Sequence, residues 1–252
     1  MYQSVSLHVG EMLLRGVVRT PEGKGPFPTV IFYHGFCVDH VGMMRLHELF
    51  ARKCVENGYA CVRFDFYGVG ESDGDFEQMR YSDEVKEAIA IYEWTEKQPF
   101  CDKENIFLSG HSLGGAIASN VAPKVNPRAV ILWAPGNTAY YDISNRTHAI
   151  PGHYQEKYDV GGLYVAGEFL KEIRAIDIVR EAEGYKGNVL LVHGECDEKV
   201  PIASVGPYLD MYGRQVEFHV IAGSNHQFSS VKWKTEVYDL SLQFLKKETL
   251  LH

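Results

Sequence analysis

Between residues 29 and 247 short apolar runs alternate with helix-like stretches, and this rhythm restricts the fold more than any other feature of the chain. Strands are expected at 29–33, 59–66, 105–109, 129–133, 188–193 and 216–221. Helices are expected at about 43–56, 82–97, 113–122, 202–211 and 231–247, with Ser82 capping the second of them. Strands joined through helices need crossover connections, which produce a parallel sheet covered by helices on both faces. Such strands read as unbroken apolar runs because neither face meets water. Two β-rich runs, 4–9 and 12–19, precede the alternation and turn at Gly10-Glu11, as an antiparallel hairpin would. The expected class is therefore α/β, with a mostly parallel central sheet and helices on both sides. Chemistry in such sheets gathers at the carboxyl ends of the strands. Residues 137–180 are too long for an ordinary connection and are expected to form a small cap insertion over that edge, within a single domain spanning 1–252.

Composition removes several classes of function. A chain of 252 residues, 45% hydrophobic, can bury a core without disulfide or metal staples. Its formal net charge is −8 and it contains no basic run of five, which argues against nucleic-acid partners. Five cysteines (Cys37, Cys54, Cys61, Cys101, Cys196) make no C-x-x-C pair. Free thiols in a reducing, cytoplasmic compartment are expected, rather than a disulfide framework or zinc ribbon. Charges interrupt the first twenty residues before a signal core can form, and no apolar run is long enough to span a bilayer. A membrane partner is not expected.

The sharpest local signal is Gly110-His111-Ser112-Leu113-Gly114, after an expected strand and before an expected helix. G-x-S-x-G in that setting is the turn that exposes a nucleophilic serine. Glycine two positions either side removes side chains that would collide with the adjoining elements. A serine nucleophile needs a base, and the base needs an orienting carboxylate. Downstream, the loop after strand 188–193 offers three acids, Glu195, Asp197 and Glu198. The loop after strand 216–221 holds His226, whereas His219 lies inside the strand pattern and His252 is the terminal residue. A tetrahedral oxyanion needs two N–H donors. The residue after the nucleophile, Leu113, supplies one, and Phe36 in the loop Tyr33-His34-Gly35-Phe36 is the candidate for the other.

Other motifs lead nowhere. Gly68-Val69-Gly70-Glu71-Ser72-Asp73-Gly74 misses the dinucleotide fingerprint by one residue and reads as a glycine-rich turn. His47-Glu48 opens a zinc-protease pattern that Ala51 breaks. No metal site and no cofactor are expected.

Taken together, His34-Gly35-Phe36, the Ser112 elbow, His193-Gly194-x-x-Asp197-x-x-Val200-Pro201 and His226 resemble the α/β-hydrolase superfamily over nearly the whole chain. Within it, residues 63–77 and the cap stretch 159–164 are similar to small bacterial cinnamoyl/feruloyl esterases. The resemblance implies a serine carboxylesterase acting on hydroxycinnamate esters, with Ser112, Asp197 and His226 as triad. It selects Asp197 among the three acids. It also implies Asp142 and Tyr164 as cap residues that bind the substrate's phenolic hydroxyl, a small aromatic ester as partner, and a homodimer as a candidate assembly. Leu113 is a departure, since several relatives carry Gln there; the oxyanion contact is a backbone one and survives the change. A monoacylglycerol lipase or short-peptide hydrolase is the alternative within the same chemistry. A non-catalytic binding module is the alternative outside it.

Overall fold

A computed structural model describes residues 1–250, and two layers of helices enclose one sheet. The N-terminal hairpin is β1 (Tyr2–Val9) and β2 (Met12–Arg19), paired antiparallel. The alternating region supplies β3 (Phe27–Tyr33), α1 (Leu46–Glu56), β4 (Ala60–Phe64), α2 (Tyr81–Glu96), β5 (Cys101–His111), α3 (Leu113–Val125) and β6 (Ala129–Trp133). The insertion follows, with α4 (Ala139–Thr147), a small antiparallel pair β7 (Lys157–Asp159) and β8 (Tyr164–Ala166), and α5 (Gly167–Ala175). The chain returns through β9 (Asn188–Gly194), α6 (Gly206–Tyr212), β10 (Val216–Ile221) and α7 (Val231–Glu248).

The sheet has eight strands in the order β1-β2-β4-β3-β5-β6-β9-β10. Both pairings of β2 are antiparallel and all the others are parallel, so β2 alone runs against its neighbours. Successive side chains of a strand face opposite ways, and the core divides accordingly. Ile31, Tyr33, Leu108, Leu132 and Leu191 pack under α2, α3 and α6. Val30, Phe32, Phe107, Ile131, Trp133 and Leu190 pack under α1 and α7. This double cover explains the unbroken apolar runs.

Several boundaries differ from expectation, β5 for one running over Cys101–His111, and three of the differences have a local cause. The first helix begins at Leu46 instead of Met43, because Met44 and Arg45 hold positive φ angles of 48° and 61°. Ser82 is not the cap of α2, which starts one residue earlier. Its first N–H groups, those of Tyr81 and Ser82, are taken by the Glu172 carboxylate of α5 at 2.9 and 3.2 Å. The stretch at 202–211 splits into a 3₁₀ turn and α6, where Pro207 enters the first turn and cannot donate to the turn before it. Among the described residues, no helix is long and apolar enough to cross a membrane.

Candidate active site

Ser112 stands between the end of β5 and the start of α3 with φ 57° and ψ −125°. A non-glycine residue there is strained by roughly 1–3 kcal/mol, and persists only where its surroundings over-determine it. The Ser112 N–H donates to the Trp133 carbonyl at 2.9 Å, and its own carbonyl accepts from Gly115 and Gly136 at 2.9 and 2.8 Å. A Cβ on Gly110 would strike the Gly114 carbonyl, and one on Gly114 would strike the carbonyls of Tyr33 and His34. Both elbow glycines are therefore dictated by backbone approach.

From this turn the Ser112 hydroxyl donates to His226 Nε2 at 2.9 Å. His226 Nδ1 donates in turn to Asp197 Oδ2 at 2.6 Å. The other carboxylate oxygen of Asp197 accepts the N–H groups of Lys199 and Val200 at 2.9 and 2.8 Å. Burial alone would raise the Asp197 pKa. Hydrogen bonds from His193 and His226, together with the Val200 N–H, outweigh it and hold the carboxyl well below the usual range. Asp197 is thus an ionised acceptor, suited to fixing an imidazole tautomer. Its loop neighbours are engaged elsewhere: Glu195 accepts from the Gly223 N–H at 2.8 Å, and Glu198 is exposed. Of the three acids, Asp197 is the one the fold carries to His226.

Two buried histidines brace this arrangement. His193 Nε2 donates to the Val200 carbonyl at 2.8 Å and lies 3.3 Å from Asp197 Oδ2. His111, the variable residue of the elbow, donates from Nε2 to the His226 carbonyl at 2.9 Å. Burial, reinforced by His226, lowers the His111 pKa to about 3, so it is neutral at physiological pH. His34 fixes the opposite wall. Its Nε2 accepts the Phe66 N–H and its Nδ1 donates to the Gly35 carbonyl, both at 3.0 Å. A Cβ on Gly35 would stand 3.1 Å from the Ser112 Cβ, so the next residue, Phe36, borders the nucleophile. The Leu113 N–H opens α3 and has no carbonyl one turn behind it to accept its proton. Phe36, Leu113 and Ser112 line a common narrow cavity of about 30 Å³.

The two cap residues separate. Asp142, in the first turn of α4, lines that cavity and pairs with Arg146 at 3.5 Å. Tyr164 does not reach it. In the three-residue strand β8 the middle side chain, Val165, is fully buried, so Tyr164 points outward. Tyr164 is half exposed, with the Lys157 ammonium 4.4 Å from its ring. The structure does not bring it to the nucleophile with the other expected site residues. Arg146 and Lys199, which sequence reasoning did not single out, also line the cavity. The spacing of Arg146, four residues beyond Asp142, would have shown it once a helix was placed there. Among the described residues, no group of three or more His, Cys, Asp or Glu side chains is arranged to hold a metal ion.

The model of the X-Pro dipeptidyl-peptidase family (S15 family) matches residues 10–172. An uncharacterized 31.7 kDa protein of the traX-finO intergenic region of Escherichia coli is 39% identical over 98 residues, covering 38% of this chain and 33% of that protein. Human palmitoyl-protein thioesterase ABHD10, mitochondrial, is 27% identical over 193 residues, covering 71% of this chain and 60% of the thioesterase. The chain thus spans about a third of one relative's length and three fifths of the other's. Among solved structures, Est1E from Butyrivibrio proteoclasticus with ferulic acid bound superposes with a TM-score of 0.88 at 22% identity, covering 97% of this chain and 98% of that one. Mouse alpha/beta hydrolase domain-containing protein 10 gives 0.75 at 21%, covering 98% and 100%.

Proposed function

The chain belongs to the X-Pro dipeptidyl-peptidase (S15) family and has the α/β-hydrolase fold, and we propose that it is a serine carboxylesterase cleaving esters of hydroxycinnamic acids. The observation that carries this reading is the continuous hydrogen-bonded chain from Ser112 through His226 to Asp197. His226 takes the hydroxyl proton as Ser112 Oγ attacks the ester carbonyl, and Asp197 stabilises the imidazolium that forms. The N–H groups of Phe36 and Leu113 receive the oxyanion. Collapse of the tetrahedral species breaks the bond to the leaving oxygen, which takes the proton from His226. A water then repeats the sequence on the acyl-enzyme, freeing the acid and restoring Ser112.

The aromatic acyl group rests on narrower support: Asp142 faces the cavity, and a chain of closely similar shape holds ferulic acid. A carboxylate at the far end of a pocket can accept a phenolic hydroxyl. The family match favours a second reading, hydrolysis of short peptides, and the thioesterase relative favours acyl thioesters. Both use the same serine chemistry. Five free thiols suit a reducing, cytoplasmic setting.

Labelling with a fluorophosphonate followed by peptide mass mapping tests the core of the proposal, with an adduct on Ser112 expected. No adduct on a folded protein would favour a non-catalytic binding module. Methyl ferulate, a monoacylglycerol, an aminoacyl anilide and a palmitoyl thioester, compared by kcat/KM, test the substrate. The ferulate should lead, and a lead by the anilide or thioester would replace the substrate while leaving the triad in place.

A further inference from the structure

We infer that the catalytic cavity selects esters carrying a second, carboxylate group, recognised by Arg146 with help from Lys199. This rests on the serine-hydrolase reading above and adds to it a class of substrate. Helix α4 presents Ala139, Asp142, Ile143 and Arg146 to the cavity, a spacing that places all four on one face. The Arg146 guanidinium carries five N–H donors, and its partners leave most of them free. It meets Asp142 Oδ2 at 3.5 Å and Cys37 Sγ at 3.8 Å, and lies 5.3 Å from the centre of the Phe36 ring. A saturated guanidinium–carboxylate fork would make two parallel bonds of about 2.8 Å. Lys199, directly after the Asp197 turn, spends its backbone N–H on Asp197. Among the described residues no carboxylate stands within ion-pair distance of its ammonium.

Both cations border the cavity. Both act electrostatically on the Cys37 thiol, which follows Phe36 in the loop beside Ser112. The cavity is therefore bordered by two positive charges, Arg146 and Lys199, against one carboxylate, Asp142. The His226 imidazolium formed in turnover is matched by Asp197, and His111 is neutral. An excess of positive charge at the one reactive point of a chain with net charge −8 is a local inversion of sign. Low-dielectric walls focus such a field and raise the local concentration of anions. A planar guanidinium with an unfilled fork, more than a lysine, matches a carboxylate.

The test compares three aryl or alkyl esters of similar size: 4-nitrophenyl butyrate, mono(4-nitrophenyl) succinate and 4-carboxyphenyl butyrate. The second carries the anion on the acyl side and the third on the leaving group. At low ionic strength at least one anionic ester should exceed the neutral one in kcat/KM. In Arg146→Gln the anionic-to-neutral ratio should fall about 10- to 100-fold, the range for a hydrogen bond to a charged group. Arg146→Lys should recover part of that ratio, and added salt should lower it in the wild type. Lys199→Gln should lower it less, because Lys199 is an exposed residue and solvent screens its charge. A ratio that stays at or below one, or is unmoved in Arg146→Gln, overturns the inference and leaves Arg146 as a cover for Phe36. Loss of all three activities together with loss of Ser112 labelling would indict the hydrolase reading instead.

Discussion

The strained φ of Ser112 is held by backbone bonds to Trp133, Gly115 and Gly136, which fix the turn and so aim the hydroxyl at His226. Substituting Ser112 or His226 by Ala should lower kcat by about 10⁶, by analogy with other serine triads, measured by burst-free steady-state assay on the preferred ester. Asp197→Asn should be damaging, while Glu195→Gln and Glu198→Gln should retain near wild-type rates, since neither touches His226. Equal damage by either glutamate substitution would relocate the acid. Asp142 is a sharper case. Asp142→Ala should depress kcat/KM for methyl ferulate about 10- to 100-fold and spare methyl cinnamate, which has no hydroxyl to present. Equal losses on both esters would reduce Asp142 to a tether for Arg146. The meeting of Ser112, His226 and Asp197 was legible because each stands in a loop after a recognisable strand. Arg146, Lys199, His193 and His111 were not, because what each does depends on contacts through space. The outward direction of Tyr164 was not legible either, because a motif carries no statement of which way a three-residue strand faces.

Helix α2 shows how an element can be visible while its ends are not. Its apolar periodicity and early acids are in the sequence, but its N-terminal groups are taken by Glu172, ninety residues away on α5. The same obstacle hid the start of α1, where two left-handed residues interrupt a helical-looking pattern. It also hid α4, β7, β8 and α5, whose short lengths leave their order to tertiary packing. The core strands were plain because burial on both faces leaves an unbroken apolar run. Helix α2 also makes a prediction of its own. Burial, opposed by a hydrogen bond from the Tyr67 N–H and aided by the Asp83 charge, raises the Glu87 pKa from 4.5 to about 7. The folded chain therefore binds this proton more tightly than the unfolded chain. Its stabilising contribution is complete below pH 4.5 and is lost as pH rises through about 7. Glu87→Gln keeps an acceptor for Tyr67 and removes the titration. The variant should match the wild type in Tm near pH 4 and exceed it near pH 8, by up to roughly 3 kcal/mol in unfolding free energy. Parallel pH profiles for the two proteins would mean that Glu87 does not titrate in this window.

At the scale of the whole molecule, a sheet covered by helices on both faces and a cap insertion meet over a cavity of about 30 Å³. Pockets for ligands of drug size span about 300–1,000 Å³, so an aromatic acyl group enters only if one wall moves. The walls differ in how firmly they are held. The sheet edge is fixed by the parallel ladder on both sides of β5. Helix α5 buries Phe169, Leu170 and Ile173 in the main core and lends Glu172 to α2. Helix α4 also puts three side chains into that core, but Ala139 and Tyr140 keep 7% and 9% exposure where Phe169 and Leu170 keep none, and Arg146 reaches the loop of Phe36 only through a long thiol contact and a ring face. Elements with few buried apolar contacts open at the lowest free energy. Helix α4 is therefore the wall expected to move. Amide hydrogen exchange read by mass spectrometry should show peptides from 139–147 exchanging faster than those from 167–175, and both faster than β5 and β6. Saturation with ferulate, or acylation of Ser112 by an aryl phosphonate, should slow or speed 139–147 while leaving the sheet unchanged. Protection of 139–147 equal to that of α5, unaltered by either ligand, would mean that the cavity keeps its size, and that the site admits groups no larger than a few atoms.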